Sequence, residues 1–412
     1  MLAFTAGIYG STGAPVSGKA EPQRIRWKGR VIKIAISTSL TRSNPNIKTD
    51  SDVSAAIRRS LAAWQDVADM EFQVDVSDKQ GISPSGVAGD GVSLISIAST
   101  PENVLLFAKD AQTVSAKTRV FYNRKGFITE ADIILNPFQQ FSTDGAYGTF
   151  DLQSTLTHEI GHLLGLRHSG VLGAAMSENL AKNSASDTVD FESRVLTDSD
   201  IAAVRDLYGV DGEGCCRTVS GKLALSSGKP AKKLRVWAEE RETGRVVAQA
   251  DTDADGLYRL GGLTQGSYRI YWKVNSGNSR STSSEFDNLV IENNDIKPAT
   301  QKINIVPTDV ELDYVGINGQ LAESAIAVTR GREQTIYLGG KNLDAKGISI
   351  GLSSPYFRVI SSSLTGQDFG PDISVVSLVI LVDSDAPRGA YTIFATDENG
   401  SKTALIGALK VL

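Results

Sequence analysis

Histidine is scarce in this chain, with three among 412 residues. Cysteine is scarcer: the only two, Cys215 and Cys216, are adjacent, so no disulfide framework of the kind that staples small secreted domains can be assembled. Neighbouring cysteines bridge only under strain, because a disulfide wants its two Cα atoms farther apart than one peptide unit allows. Two linker thiols and a vicinal or intermolecular bridge both stay open. A basic excess is missing too. Lys and Arg number 42 against 47 Asp and Glu, a net charge of -5, which excludes recruitment of nucleic acid through phosphate neutralisation. The longest apolar runs, such as Ile373 to Val382, fall well short of the ~20 residues a membrane-spanning helix needs, so no membrane span is expected. The amino terminus is mildly apolar but carries no Lys or Arg before Lys19. It lacks the basic start and long apolar centre of a secretory signal, and residues 1–23 are read as the remnant of a trimmed leader.

What is present is the composition of a folded chain, 41% hydrophobic with 39 Gly, and a length that suits two or three domains. Up to Gly209 strand and helix patterns mix. Ile32, Ile34 and Ile36 alternate with polar or small neighbours as a strand with one buried face, and Phe72, Val74 and Val76 repeat that pattern. Between them Val53, Ile57, Leu61, Trp64 and Val67 recur at helical spacing after a cap-rich run, Thr49 to Asp52. Val92 to Ala98 and Ala131 to Leu135 read as more fully buried strands. A last helix opens at Thr197 with a capping box to Asp200 and stops at Gly209. Beyond the Gly-rich linker the text is strands and turns only, with hairpin signals at Glu242 to Gly244, Asp255-Gly256 and Asn399-Gly400. The expected layout is a 24–210 mixed α+β domain (a twisted sheet plus three helices), a 211–218 linker, and all-β sandwiches over 219–306 and 307–412.

All three histidines fall within eleven residues: His158-Glu159-x-x-His162-x-x-Gly165-x-x-His168. His158 and His162 are one helical turn apart, so both rings project from one face and can share one Zn²⁺. Glu159 is not needed as a ligand and is placed as general base and acid toward a zinc-activated water. The third histidine lies six residues past His162, which an unbroken helix would turn away from the metal. Gly165 supplies the exit, since glycine ends a helix in the left-handed conformation at little cost. Three neutral imidazoles leave a fourth position for water, the mark of a catalytic site. A chance match to this pattern in such a chain is on the order of one in 100,000.

The motif resembles that of the metzincin zinc endopeptidases, and within them the matrixins, the matrix metalloprotease family. Met176, eight residues after His168, looks like the methionine-turn residue of that clan; Ser169, the run Asp151 to Thr155 and the closing helix from Leu196 to Gly209 are also similar to matrixins. The resemblance covers about residues 24 to 209. It implies the metzincin-type fold, one catalytic zinc on His158, His162 and His168, and an edge strand at Val120, Phe121 and Tyr122 that pairs with an extended substrate. A plain edge strand is the competing reading. Glu178 stands where astacins and serralysins have a ligating Tyr, and Glu178-Asn-Leu180 replaces the Pro-x-Tyr wall of vertebrate matrixins, so cleavage preference does not carry over. The family's structural zinc needs further histidines and none remain, nor is there a prodomain cysteine.

Asp251, Asp253 and Asp255 imitate the start of a Ca²⁺ loop, yet its twelfth position is Gly262 and a strand pattern follows, so a hairpin turn is preferred to Ca²⁺. The segment after it resembles the transthyretin-like carboxypeptidase regulatory domain, and the last domain an immunoglobulin-like module. The expectation is a secreted or surface-associated zinc endopeptidase acting on proteins or peptides, its sandwiches directing it to a surface protein or glycan. The rival is an adhesion protein whose protease domain is vestigial or self-processing.

Overall fold

The computed structural model describes residues 24–84, 88–178, 180, 182–183, 194–210, 215–274, 283–291, 295–305 and 309–412. The expected leader remnant, 1–23, and residues 211–214 of the expected linker lie outside them. The chain forms two compact units. One comprises Met1–His168, Leu180–Leu196 and Leu207–Asp211; the other comprises Ser169–Asn179, Thr197–Asp206 and Gly212–Leu412.

The first unit is built on a six-stranded mixed sheet. In chain order its elements are β1 (Arg26–Trp27), β2 (Val31–Ser37), α1 (Thr38–Thr41), α2 (Val53–Gln65), β3 (Glu71–Ser77), β4 (Leu94–Ser96), α3 (Pro101–Leu105), β5 (Ala116–Tyr122), β6 (Phe127–Leu135), the short pair β7 (Phe141–Ser142) and β8 (Phe150–Asp151), and α4 (Leu152–Leu163). The sheet runs β1-β6-β4-β2-β3, and β5 pairs with β6 antiparallel. The isoleucine alternation in β2 sets its register on β3, Ile32 beside Phe72 and Ile34 beside Val74, and buries Ile32, Ile34 and Ile36.

Three of the patterns turn out differently in detail. The one-sided burial expected of Phe72, Val74 and Val76 is not seen: Val74 is 44% and Val76 65% exposed. The physical reason is that β3 is an edge strand, paired only with β2 among the described residues, so none of these three side chains is fully covered. The stretch read as a strand over Val92 to Ala98 is hydrogen-bonded as sheet only over Leu94–Ser96. Among the described residues the helices number five, because α1 and α3 are single turns set by their caps, Ser37 and Thr100 with Pro101 at the first helical position, and are too short to show periodicity.

In the second unit, Val246–Asp251, Leu234–Glu240, Gly266–Val274 and Ser283–Ile291 form one sheet and Leu257–Leu263, Arg217–Leu225 and Gln301–Ile303 another. Val219, Leu223, Val236, Leu260, Ile270 and Trp272 share the core of this pair. The remaining strands make a five-stranded sheet with Ser374–Val382 and a four-stranded sheet with Lys402–Val411, around Leu338, Leu378, Ile380, Tyr391 and Ile393. Gly244, Gly256 and Gly400 all take positive φ, as their turns require. Asp253 Oδ1 accepts the amides of Asp255 and Leu257, the hydrogen-bonding of a turn. Cys215 and Cys216 are joined as a vicinal disulfide across a cis peptide.

Candidate metal and active site

α4 carries the first two histidines, and every one of its twelve residues is buried. Its start is held by Asp151, whose side chain accepts the Ser154 amide at 2.8 Å and pairs with the Arg194 guanidinium. α2 hooks onto it at one-turn intervals: Ser60 Oγ donates to the Gln153 carbonyl at 3.0 Å, and the fully buried Trp64 donates Nε1–H to the Thr157 carbonyl at 2.9 Å. The carbonyls at the far end, which no helical amide can reach, are all satisfied. Leu166 N–H bonds Gly161 O and Gly165 N–H bonds His162 O, the two bonds of a Schellman turn. Trp27 Nε1–H takes Leu163 O at 2.9 Å and the Tyr208 hydroxyl takes Leu164 O at 2.6 Å. Gly165 itself has φ +94°. A Cβ there would lie 2.2 Å from the Ile25 carbonyl oxygen, so the exit needs glycine for both conformation and space.

This exit returns the chain toward the helix. His162 Nε2 lies 3.1 Å from His158 Nε2 and 3.1 Å from His168 Nε2. Four-coordinate zinc holds nitrogens at about 2.0–2.1 Å, which puts pairs of them roughly 3.3 Å apart, so the convergence fits one such ion. The protonation state fits as well. Burial and the two neighbouring imidazoles hold His162 well below its ordinary pKa, and burial lowers His168 to about 4. Neutral rings offer lone pairs, as a metal ligand must. His162 Nδ1 faces the Leu166 carbonyl at 2.9 Å; as the donor there it leaves Nε2 free to ligate.

Glu159 is buried beside this cluster, and burial raises its pKa to about 7 against the opposing effects of the Thr118 hydroxyl and Lys117. Thr118, on β5, donates its hydroxyl to Glu159 Oε2. Nothing in the sequence pattern singles out Thr118, which comes from a different element 41 residues away. Val120 and Phe121 on the same strand are buried, with Tyr122 partly exposed, and β5 pairs only with β6 among the described residues.

Met176 belongs to the second unit, where it is 2% exposed. Its amide and that of Ala175 both donate to the Asp200 carboxylate, at 3.1 and 2.8 Å, and Met176 O accepts the Ser169 amide at 2.7 Å. Asp200 also closes the capping box at the start of α5 (Asp198–Tyr208), accepting the Thr197 amide and hydroxyl. The sequence showed only the capping role. A capping residue whose spacing is satisfied gives no sign that its second oxygen is spoken for elsewhere.

Residues 102–209 match the model of the Matrixin family, Peptidase M10. Over that stretch the chain is similar to a matrixin domain. Metalloendoproteinase 1-MMP of Arabidopsis thaliana is 29% identical over 194 residues, 45% of this chain and 44% of its own. Metalloendoproteinase 4-MMP of the same plant is 25% identical over 201 residues, 46% and 50% of the two chains. The chain thus spans about half the length of the curated relatives it matches. Among solved structures, a form of the major pilin subunit of Bacillus cereus matches 46% of this chain and 67% of its own, at 13% identity and a TM-score of 0.19, too low to carry a structural argument. The matched segment of the matrixin family contains β5, α4, the three histidines, Glu159 and Met176.

Proposed function

We propose that the chain is a zinc-dependent endopeptidase acting on proteins or peptides outside the cell. The observation that carries this reading is the convergence of His158, His162 and His168, with His162 Nε2 3.1 Å from each of the other two Nε2 atoms and all three within 4.8 Å of one another, beside a buried Glu159. The three Nε2 atoms would hold the ion, whose chemistry when bound is to polarise the scissile carbonyl and to bring the pKa of a water toward ~7.

The rest falls to the chain's own residues. Glu159 takes a proton from the attacking water and returns it to the leaving nitrogen; burial, which raises its proton affinity above that of an ordinary carboxyl, suits a group that must do both. Thr118 keeps one carboxylate oxygen engaged and so limits the carboxylate's rotation. The edge of β5 offers backbone N–H and C=O groups to an extended peptide, which holds many sequences because it reads main chain before side chains. Val120 and Phe121, turned into the protein, contribute the rigidity of that edge.

Hydrolysis of an unfolded protein by the full chain, its Glu159→Ala variant and the chelator-treated chain tests the reading. Turnover in wild type alone is the expected result, with about one zinc per chain. Equal turnover in wild type and Glu159→Ala would overturn it and leave the surface-binding alternative.

A further inference from the structure

Two aromatic side chains, 181 residues apart in the chain, meet at the exit of α4. Tyr208 closes α5 and belongs to the first unit, as do Trp27 and every residue of the exit up to His168. The Tyr208 hydroxyl donates to the Leu164 carbonyl at 2.6 Å and accepts the Trp27 amide at 3.1 Å. The Trp27 indole donates to the neighbouring Leu163 carbonyl at 2.9 Å. Both aromatics are themselves fixed. Trp27 lies on β1, which pairs with β6 at Phe127 and Ile128, and the Gly209 carbonyl beside Tyr208 accepts the Asp69 amide at 3.0 Å.

The exit is where the cluster needs such ties. His162 has its Nδ1 held by the Leu166 carbonyl, whereas the ring of His168, among the described residues, makes no hydrogen bond except to His162. The chain reaches His168 through Gly165, Leu166 and Arg167, so its imidazole inherits its position from these residues. Glycine permits the left-handed turn at φ +94° but does not enforce it, since it enters many other conformations as readily. A planar peptide supplies the missing constraint. The Leu164 carbonyl and the Gly165 amide belong to one plane, and that plane is gripped at both ends: Tyr208 bonds the carbonyl, and the amide bonds His162 O at 2.9 Å. Fixing it sets ψ of Leu164 and φ of Gly165 together, the two angles that turn the chain back.

We infer that Tyr208, seconded by Trp27, is a positioning residue of the metal site: its hydroxyl fixes the Leu164–Gly165 peptide plane and, through it, the imidazole of His168. The inference rests on the zinc-peptidase reading above. It gives the last residue of α5 a role in metal binding, although this side chain touches none of the three histidines, in the way that supporting contacts hold ligands elsewhere.

The test uses the full chain, loaded with Co²⁺ as a visible probe, in wild type, Tyr208→Phe, Trp27→Phe and Ser60→Ala. Tyr208→Phe removes the hydroxyl and keeps the ring. Ser60→Ala is the control for a merely structural loss, because Ser60 Oγ bonds the Gln153 carbonyl at the opposite end of α4, at 3.0 Å. Expected in Tyr208→Phe are about a tenfold loss of Co²⁺ affinity, a changed Co²⁺ absorption spectrum and a fall in kcat with little change in KM. Ser60→Ala should melt at a lower temperature yet keep the wild-type affinity and spectrum. Wild-type affinity and spectrum in Tyr208→Phe, or an equal loss of affinity in Ser60→Ala, would overturn the proposal while leaving the peptidase reading intact. Should Tyr208→Phe not fold, Trp27→Phe decides on the same two readouts. Failure of the wild-type chain to bind Co²⁺ would overturn the peptidase reading, and this proposal with it.

Discussion

Gly165→Ala isolates the turn that brings the third histidine back. Two costs add. A non-glycine residue in the left-handed region loses roughly 1–2 kcal/mol, and the new Cβ, built 2.2 Å from the Ile25 carbonyl oxygen, forces a backbone shift of the kind that costs about 1–3 kcal/mol. Against them stands a gain of about 0.4–1 kcal/mol, since alanine has fewer unfolded conformations to lose. The net expectation is about 1–5 kcal/mol of lost stability, centred near ~3 kcal/mol. Gly148→Ala is the matched control: its φ of +76° is similar, and nothing lies within 4 Å of the added Cβ, so only the conformational part, about 1 kcal/mol, should appear. Urea unfolding of the full chain, followed by tryptophan fluorescence, reads both variants, and Co²⁺ titration reads the site. Gly165→Ala should also bind Co²⁺ more weakly, because the turn lies between His162 and His168, while Gly148→Ala should bind as wild type does. Equal unfolding midpoints and equal Co²⁺ affinities in the two variants would refute the claim that this glycine is needed for space and for the third ligand.

Other outcomes follow from the same contacts. Thr118→Val removes the hydroxyl that holds Glu159 and should lower kcat about tenfold at unchanged zinc content, as measured by turnover and metal analysis. Trp64→Phe removes the indole bond to the Thr157 carbonyl, which keeps its helical bond within α4, and leaves a gap in a full core, a loss of about 2–4 kcal/mol in urea unfolding. Burial lowers Lys273 from its ordinary 10.5 to about 8, with its ammonium donating to the Ala404 carbonyl. Between those pH values the unfolded chain binds the extra proton, so this residue makes stability rise from pH 8 toward 10.5, by up to about 3 kcal/mol. Melting curves of Lys273→Met should lack that rise, and an identical pH dependence in the variant would show that the lysine is not the cause.

Much of the site was legible because its signals are local. The His158–His162 spacing, the glycine exit and the Thr197–Asp200 box each depend on residues within one or two helical turns, where chain geometry alone sets which side chains meet. The same holds for the caps of α4, where Asp151 is the N-cap and Gly165 follows the C-cap, Leu164. Periodicity was less dependable where burial depends on a neighbour. The alternation in β3 resembles that in β2, yet one strand is central and the other at an edge, and only the pairing distinguishes them.

What the sequence determined by itself was the candidate site: three histidines and one glutamate in a spacing that a helix and a glycine turn convert into a cluster that could hold a metal ion. Only the tertiary structure decided what holds that cluster in place. Thr118 reaches Glu159 across 41 residues, and Trp27 caps the helix across 136. Contacts at such separations arise when distant elements close on one another. They depend on register, edge and packing, which no short window of sequence contains.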